Sequence, residues 1–540
     1  MSSTRQIEVH NDMENHCKIV LFFLLSLTFK LTCSEGDLRD QLTRKQFPED
    51  FIFGTASAAY QYEGAANESG RKPSIWDTFT NDYPEKIADH SSGAVAQDFY
   101  HRYEEDIEYM SDIGFDTFRF SISWSRILPY GTPDIINSEG VEFYHKLINY
   151  LKAKGLKPVV TLFHWDLPQA LENKYGGLLS QNFVKDFRKY AGFCFQEFGN
   201  SVEQWITFNE PYVFATHGYQ TGIKAPGRCS HYAGNCTKGN SAVEPYKVIH
   251  HLLLAHAEAV HLYWNKYQLK QKGIIGLTEA SHWMVPKFYT PESSTAAYRA
   301  LDFMLGWTVH PITYGDYPET MRNLVGCRLP KFTKAQSALL KGSFDFLGLN
   351  YYTARYAEEY NATCFNPTPE NDSRVLLTTE KNGVPIGDKT ALDWLYVYPK
   401  GIEDLVLYVK ENYNNPNIYI TENGFVDPKI NDTIDCSNSA LKDDGRIKFH
   451  RDHLWHLLNA IKAGANVKGY FIWSFEDNFE WQDGYTAKFG IYCIDYKNQL
   501  ARKPKKSVSW FQKFLYDGCR KIPREGDADQ LNPSFLLPSA

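Results

Sequence analysis

Two short segments of the 540-residue chain end an apolar run on a carboxylate. Residues 417–425 read NIYITENGF, so Glu422 follows the strand-like run Ile418–Thr421, and residues 204–211 read QWITFNEP, so Glu210 follows Gln204–Asn209. A buried strand gains nothing from an ionised Glu, because desolvating an unpaired carboxylate is costly or pushes its pKa upward. Either Glu on its own is explained well enough as a cap on the following turn. Two carboxylates brought to one cleft are a different matter: they are the equipment of glycoside hydrolysis, one as acid and base, the other as nucleophile or base.

Elements must bring the two together. Short β-branched or aromatic runs alternate with longer amphipathic segments, the pattern of parallel strands joined by helices. Eight candidate strands are read at Phe51–Thr55, Thr117–Ser121, Pro158–Phe163, Gln204–Asn209, Ile274–Thr278, Phe346–Asn350, Ile418–Thr421 and Gly469–Trp473. Helices are expected over 95–113, 142–154 and 183–198, stopping at Gly114, Gly155 and Gly199, each glycine suiting the left-handed position that ends a helix. Eight such units in one undivided body predict an α/β fold, a single (β/α)8 TIM barrel with elaborated βα loops and reactive groups at the carboxyl ends of its strands. An open doubly wound sheet is disfavoured, since no Gly-X-Gly-X-X-Gly loop follows the first strand. The other strand ends are polar or aromatic: Gln61 after the first, Arg119 in the second, His164, Trp165 and Asp166 after the third, Asn350 and Tyr352 at the sixth, Trp473 at the eighth. Sugar recognition needs donors and acceptors for vicinal hydroxyls and an aromatic face for the apolar side of the ring.

Composition narrows the partners. A net charge of −7 without basic clusters excludes nucleic acid and anionic membranes as obvious partners, and an aromatic content of 15% suits stacking on flat ligands. The apolar run Ile19–Phe29, preceded by Lys18, is too short to span a bilayer and reads as a secretory signal peptide over residues 1–34, with Met13 as an alternative start. The barrel then covers 35–517, and the charged, proline-containing tail 518–540 is expected to be disordered. A secretory route to the apoplast or vacuole, with no membrane attachment after cleavage, fits a disulfide between Cys229 and Cys236 and glycosylation at Asn67, Asn235, Asn361, Asn371 and Asn431. His450, His453 and His456 recur every three residues, but no carboxylate or cysteine completes a tetrahedral set, so no metal and no cofactor is expected. His251, His256 and His261 fall on different helix faces and read as ordinary helix residues. Homo-oligomerisation is left open.

The segments TFNEP, ITENG, FRFSISWSRILP, TLFHWDLPQAL and WSFEDNFEW, in that family's order between about Phe47 and Leu515, resemble the signatures of glycoside hydrolase family 1, especially plant β-glucosidases. The resemblance implies Glu210 as acid/base and Glu422 as nucleophile. It also implies Gln61, His164, Asn209, Glu480 and Trp481 as glucose-binding residues and Trp473 as the aromatic platform. Arg119 and Tyr352 would hold the nucleophile ionised and oriented, with Asn350 also assigned to orienting it. Phe489 would line the sugar site and Trp394 the aglycone site. A small-molecule β-glucoside is the implied partner, cleaved with retention of configuration where the carboxyl groups lie about 5 to 5.5 Å apart. Thioglucosidases of the family carry Gln where Glu210 stands here, so Glu210 points to O-glycosides. One departure is Glu476, at a position usually apolar in the family, for which a solvent-facing or rim role is expected. A transglucosidase and a diglycoside-specific β-glycosidase share the same first half-reaction and are the alternatives.

Overall fold

The computed structural model describes residues 39–360, 365–427 and 436–516. Its centre is a closed barrel of eight parallel strands: β1 (Ile52–Ala56), β2 (Thr117–Ser121), β3 (Lys157–Phe163), β4 (Gln204–Asn209), β5 (Ile274–Ala280), β6 (Phe346–Asn350), β7 (Ile418–Asn423) and β8 (Val467–Ile472). Closure is made by β1, which pairs Thr55 with Ile472 of β8 on one side and Gly54 with Thr117 of β2 on the other. Strands β2, β4 and β6 are buried along their whole length, as parallel strands flanked by helices must be, which is why they read as nearly unbroken apolar runs. Val159, Ile206, Phe346 and Phe471 cluster together, and the same cluster continues to Trp473 and Phe489, so the packed core leads directly into the site.

The expected helices are found at Phe99–Ile113, Ser138–Ala153 and Asn182–Phe198. The first starts later than its apolar pattern because Asp98 adopts a left-handed conformation with φ 61° and leaves Val95 exposed in the preceding turn. Gly114 and Gly155 are left-handed as expected, at φ 95° and 79°. Gly199 is not: its φ is −67°, and what it supplies is room, since a Cβ there would lie 2.2 Å from the Gln271 side chain. The βα loop after β5 carries the strand Trp283–Pro286, which joins Ala354–Glu359 and Val375–Thr378 in a small sheet outside the barrel. That sheet lends Met284, Val375 and Leu377 to the wall of the cavity at the barrel mouth.

The expected Cys229–Cys236 disulfide is present, and a second one joins Cys436 to Cys493. The second was not read from the sequence because its cysteines are 57 residues apart. Asn67 and Asn235 are exposed and Asn371 is half-buried, whereas Asn361 and Asn431, the leader 1–34 and the tail 518–540 lie outside the described residues. Among the described residues no helix is long and apolar enough to cross a membrane.

Glu476 departs from its expected place at the rim. It is fully buried, 3.4 Å from Arg502, which is itself paired with buried Asp106. Burial and the nearby Asp106 charge push its carboxyl well above the ordinary range, so an uncharged acid fits in a segment, Ser474–Phe479, that is buried throughout.

Candidate active site

Both candidate carboxylates sit where the barrel's regular pairing is interrupted. The register between β4 and β5 shifts between Ile206 and Asn209, and β7 shifts against both neighbours beyond Ile420. Such irregularities re-aim side chains that strict alternation would send elsewhere. Glu210 follows at once, with φ 49° and ψ 62°, and Pro211 opens the helix Pro211–Tyr219 with a ring that excludes the right-handed conformation for the residue before it. The Glu210 side chain makes no capping bond to that helix, which removes the simplest structural explanation for it.

Glu422 accepts from Arg119 Nη1 at 2.6 Å on one oxygen and from the Tyr352 hydroxyl at 2.7 Å on the other. Arg119 is wholly buried and also spans to the Thr421 carbonyl at 3.0 Å and to Asn209 Oδ1 at 2.6 Å. A planar guanidinium fits this fork, whereas a lysine could not make all three bonds in one orientation. Burial, then the charge of Glu422, raises the Tyr352 hydroxyl far above its usual range, so it stays a donor. Asn350, expected beside Glu422, instead donates to Glu210 Oε1 at 2.7 Å and to Asn209 Oδ1 at 3.2 Å, while its own oxygen accepts from Thr421 Oγ1 at 2.7 Å. The β6 end lies between β5 and β7, and its amide turns to the β4 side.

Glu210 is itself buried. That burial, and after it the negative charge of Glu422, raises its carboxyl above the ordinary carboxylate range, against the opposing effects of the Asn350 hydrogen bond and the Lys224 and Arg119 charges. One carboxyl is thus held toward its protonated form and faces another that is clamped by a guanidinium and a phenol.

Around the pair, polar atoms are left for a ligand. Gln61 donates from Nε2 to Asn478 Oδ1 and the Phe479 carbonyl, both at 2.9 Å, and its buried Oε1 has no partner among the described residues. The Asn209 amide donates to His164 Nε2 at 3.1 Å, which places the ring proton on Nδ1, a buried atom likewise without a partner there. Burial, then the charges of Arg119 and Lys224, keeps His164 neutral. The His164 ring lies nearly parallel to those of Trp473 and Trp481, each 6.0 Å away, and Tyr352 meets Trp394 and Phe489 edge-on at 5.7 and 5.9 Å. A cavity of about 520 Å³ is lined by Gln61, His164, Asn209, Glu210, Asn350, Tyr352, Trp394, Glu422, Trp473, Glu480, Trp481 and Phe489, and buried Arg119 bonds two of these, Asn209 and Glu422.

One cavity residue carried no signal in the sequence. Lys224, in the loop after the helix Pro211–Tyr219, is buried with its ammonium 4.4 Å from the centre of the Trp165 ring. Its charge opposes the upward push that burial exerts on Glu480 and on Glu210. The three histidines at 450, 453 and 456 instead bond the Tyr470 hydroxyl, the Phe449 carbonyl and the Glu403 carboxylate, each at 2.7 Å. Among the described residues no cluster of His, Cys, Asp and Glu suited to a metal is present.

A model of the family described as Glycosyl hydrolase family 1 matches residues 43–518. The chain belongs to that family. It is 56% identical over 500 residues to β-glucosidase 12 of rice, covering 92% of this chain and 98% of that protein. β-Glucosidase 17 of Arabidopsis thaliana is 55% identical, covering 88% and 92%, and furcatin hydrolase of Viburnum furcatum is 54% identical, covering 88% and 87%. Among solved structures, a rice β-glucosidase mutant in a covalent complex with glucose is 49% identical with a TM-score of 0.86, covering 88% of this chain and 99% of that one. The family 1 fold, a (β/α)8 barrel, is the one found here.

Proposed function

We propose that this family 1 chain is a retaining β-glucosidase that releases glucose and an aglycone from O-linked β-D-glucosides. The observation that carries the reading is the unequal treatment of two facing carboxyls: Glu422 clamped by Arg119 and Tyr352, Glu210 held toward its acid form by burial and by Glu422. Opposite environments make opposite roles. Glu422 attacks the anomeric carbon while Glu210 gives its proton to the departing glycosidic oxygen, so that the C1–O bond to the aglycone breaks and a glucosyl ester on Glu422 forms. Glu210, now a carboxylate, takes a proton from water, whose oxygen attacks the same carbon and breaks the ester. Two displacements at one carbon restore the original configuration.

The free Gln61 Oε1 and His164 Nδ1, with Asn209 and Glu480, supply acceptors and donors to the glucosyl hydroxyls, and Trp473 with Trp481 supplies the apolar face. Trp394, Met284 and Phe303, apolar residues of the same cavity wall, suit an apolar aglycone of the kind carried by plant glucosides. Secretion through a cleaved leader is consistent with two disulfides, since such bonds persist in oxidising compartments. The test is Glu422→Ala: hydrolysis of an activated aryl β-glucoside should vanish, and release of the phenol should return on adding azide, which takes the anomeric carbon in place of Glu422 and gives α-glucosyl azide. Undiminished hydrolysis in that variant, or a β-configured azide, would remove Glu422 from the role.

A further inference from the structure

Glu279, near the carboxyl end of β5, is a fully buried acid that the double displacement does not use. Its Oε2 accepts from the Tyr212 N–H at 3.3 Å and from Thr308 Oγ1 at 2.9 Å, and its Oε1 accepts from the Ala280 N–H at 2.9 Å. These partners belong to three elements: β5 itself, the first turn of the helix Pro211–Tyr219, and the helix Trp307–Tyr314. That first turn is the one Glu210 precedes. A non-glycine residue in the left-handed region costs about 1–3 kcal/mol and persists only where its surroundings over-determine it. Consecutive β5 residues do this for Glu210. The Thr278 carbonyl takes the Glu210 N–H at 2.9 Å, and Glu279 takes the N–H two residues on, while Trp165 Nε1 holds the Asn209 carbonyl at 2.8 Å from the other side.

We propose that Glu279 is a positioning residue that fixes the acid/base Glu210 by tying the first turn of its helix to β5 and to Thr308. The inference rests on the reading of Glu210 as the proton donor. Among the described residues the titratable groups that act on Glu279 or feel it include Glu210 and Tyr212, and the helix Trp307–Tyr314 presents the Thr308 hydroxyl to it. Burial, with Glu210 adding to it, pushes the Glu279 carboxyl well above the ordinary range. As a neutral acid it anchors the turn without adding a second negative charge beside Glu422.

Two aryl β-glucosides separate the possibilities, one with a phenol leaving group that needs a proton and one with a dinitrophenol that does not. Glu279→Leu keeps the volume and loses the acceptors, and kcat/KM, which reads the first displacement alone, should fall about tenfold or more on the poor leaving group and far less on the activated one, because misplaced acid catalysis is what is lost. Glu279→Gln keeps an acceptor for Tyr212 and should restore the ratio of the two rates to within about twofold of the parent. Equal losses on both substrates in Glu279→Leu, or no rescue by Gln, would overturn the inference. Should Glu279→Leu fail to fold, Thr308→Val must lower the same ratio, and an unchanged ratio there overturns it equally. Glu210→Gln is the control: its loss should be about 10²–10⁴-fold on the poor leaving group and smaller on the activated one. Equal losses in that control would sink the reading of Glu210 itself, whatever Glu279 does.

Discussion

Lys224 shows how one side chain sets the working range of another. Its ammonium lies over Trp165, and its field favours the ionised form of Glu210, working against the burial that raises that carboxyl. Glu210 must carry its proton for the first displacement, so kcat/KM falls as pH rises through its pKa. Lys224→Met removes a positive charge, which raises that pKa further, and the alkaline limb of the kcat/KM profile should move up by about half a unit to one unit. A limb that stays put or moves down would show that the cation does not act on Glu210. Residue by residue, the site was legible where side-chain type and strand-end position agreed, as at Glu210, Glu422, Arg119 and Gln61. It was not legible at Lys224, a lone lysine in a glycine- and proline-bearing loop, or at Glu279, which reads as one more polar residue closing an apolar strand. Asn350 was found but given to the wrong carboxylate, because strand order does not say to which neighbour an amide turns.

At the scale of elements, the strand ends carry the precision, and Gly424 marks how little room they leave. The residue after Asn423 is a glycine, yet no left-handed turn requires it, since its φ is not positive. What matters is that a Cβ would stand 2.0 Å from the Trp473 carbonyl oxygen and 3.1 Å from the Phe489 ring. The end of β7 is thus pressed onto the segment that carries the aromatic platform. Gly424→Ala must push the two apart, at a cost of about 1–3 kcal/mol for overpacking, and because Glu422 and Trp473 then separate, kcat should fall more than stability alone explains. Thermal unfolding and kcat/KM measured on the same preparation check this, and a variant as stable and active as the parent would show that the contact yields freely. Strand positions were readable in the sequence because fully buried parallel strands are continuous apolar runs. The roles of Gly114 and Gly155 were readable too, but those of Gly199 and Gly424 were not, since they depend on neighbours distant in the chain: Gln271 for Gly199, Trp473 for Gly424.

Over the whole molecule, the two disulfides close loops of very different reach. Cys229–Cys236 spans 7 residues and pins a loop that is already local, whereas Cys436–Cys493 spans 57 and ties the segment ahead of the helix Asp444–Lys462 to the strand Tyr492–Asp495 beyond the barrel's last strand. In the chain-entropy description the longer closure restrains the unfolded state by about 4 kcal/mol and the shorter by about 2 kcal/mol. The longer one also frames the site, since β8, Trp473, Glu480, Trp481 and Phe489 all lie within its loop. Cys436→Ser with Cys493→Ser should therefore lower Tm more than Cys229→Ser with Cys236→Ser, and should also raise KM for glucosides, because the sugar-facing loop loses its tether. The shorter pair flanks Asn235 at the surface and its loss should leave KM nearly unchanged. Unfolding by calorimetry with glucoside kinetics on both double variants decides between this ordering and its reverse, and a larger Tm loss in the 229–236 variant would show that native-state packing, not loop closure, sets the contribution of each bond.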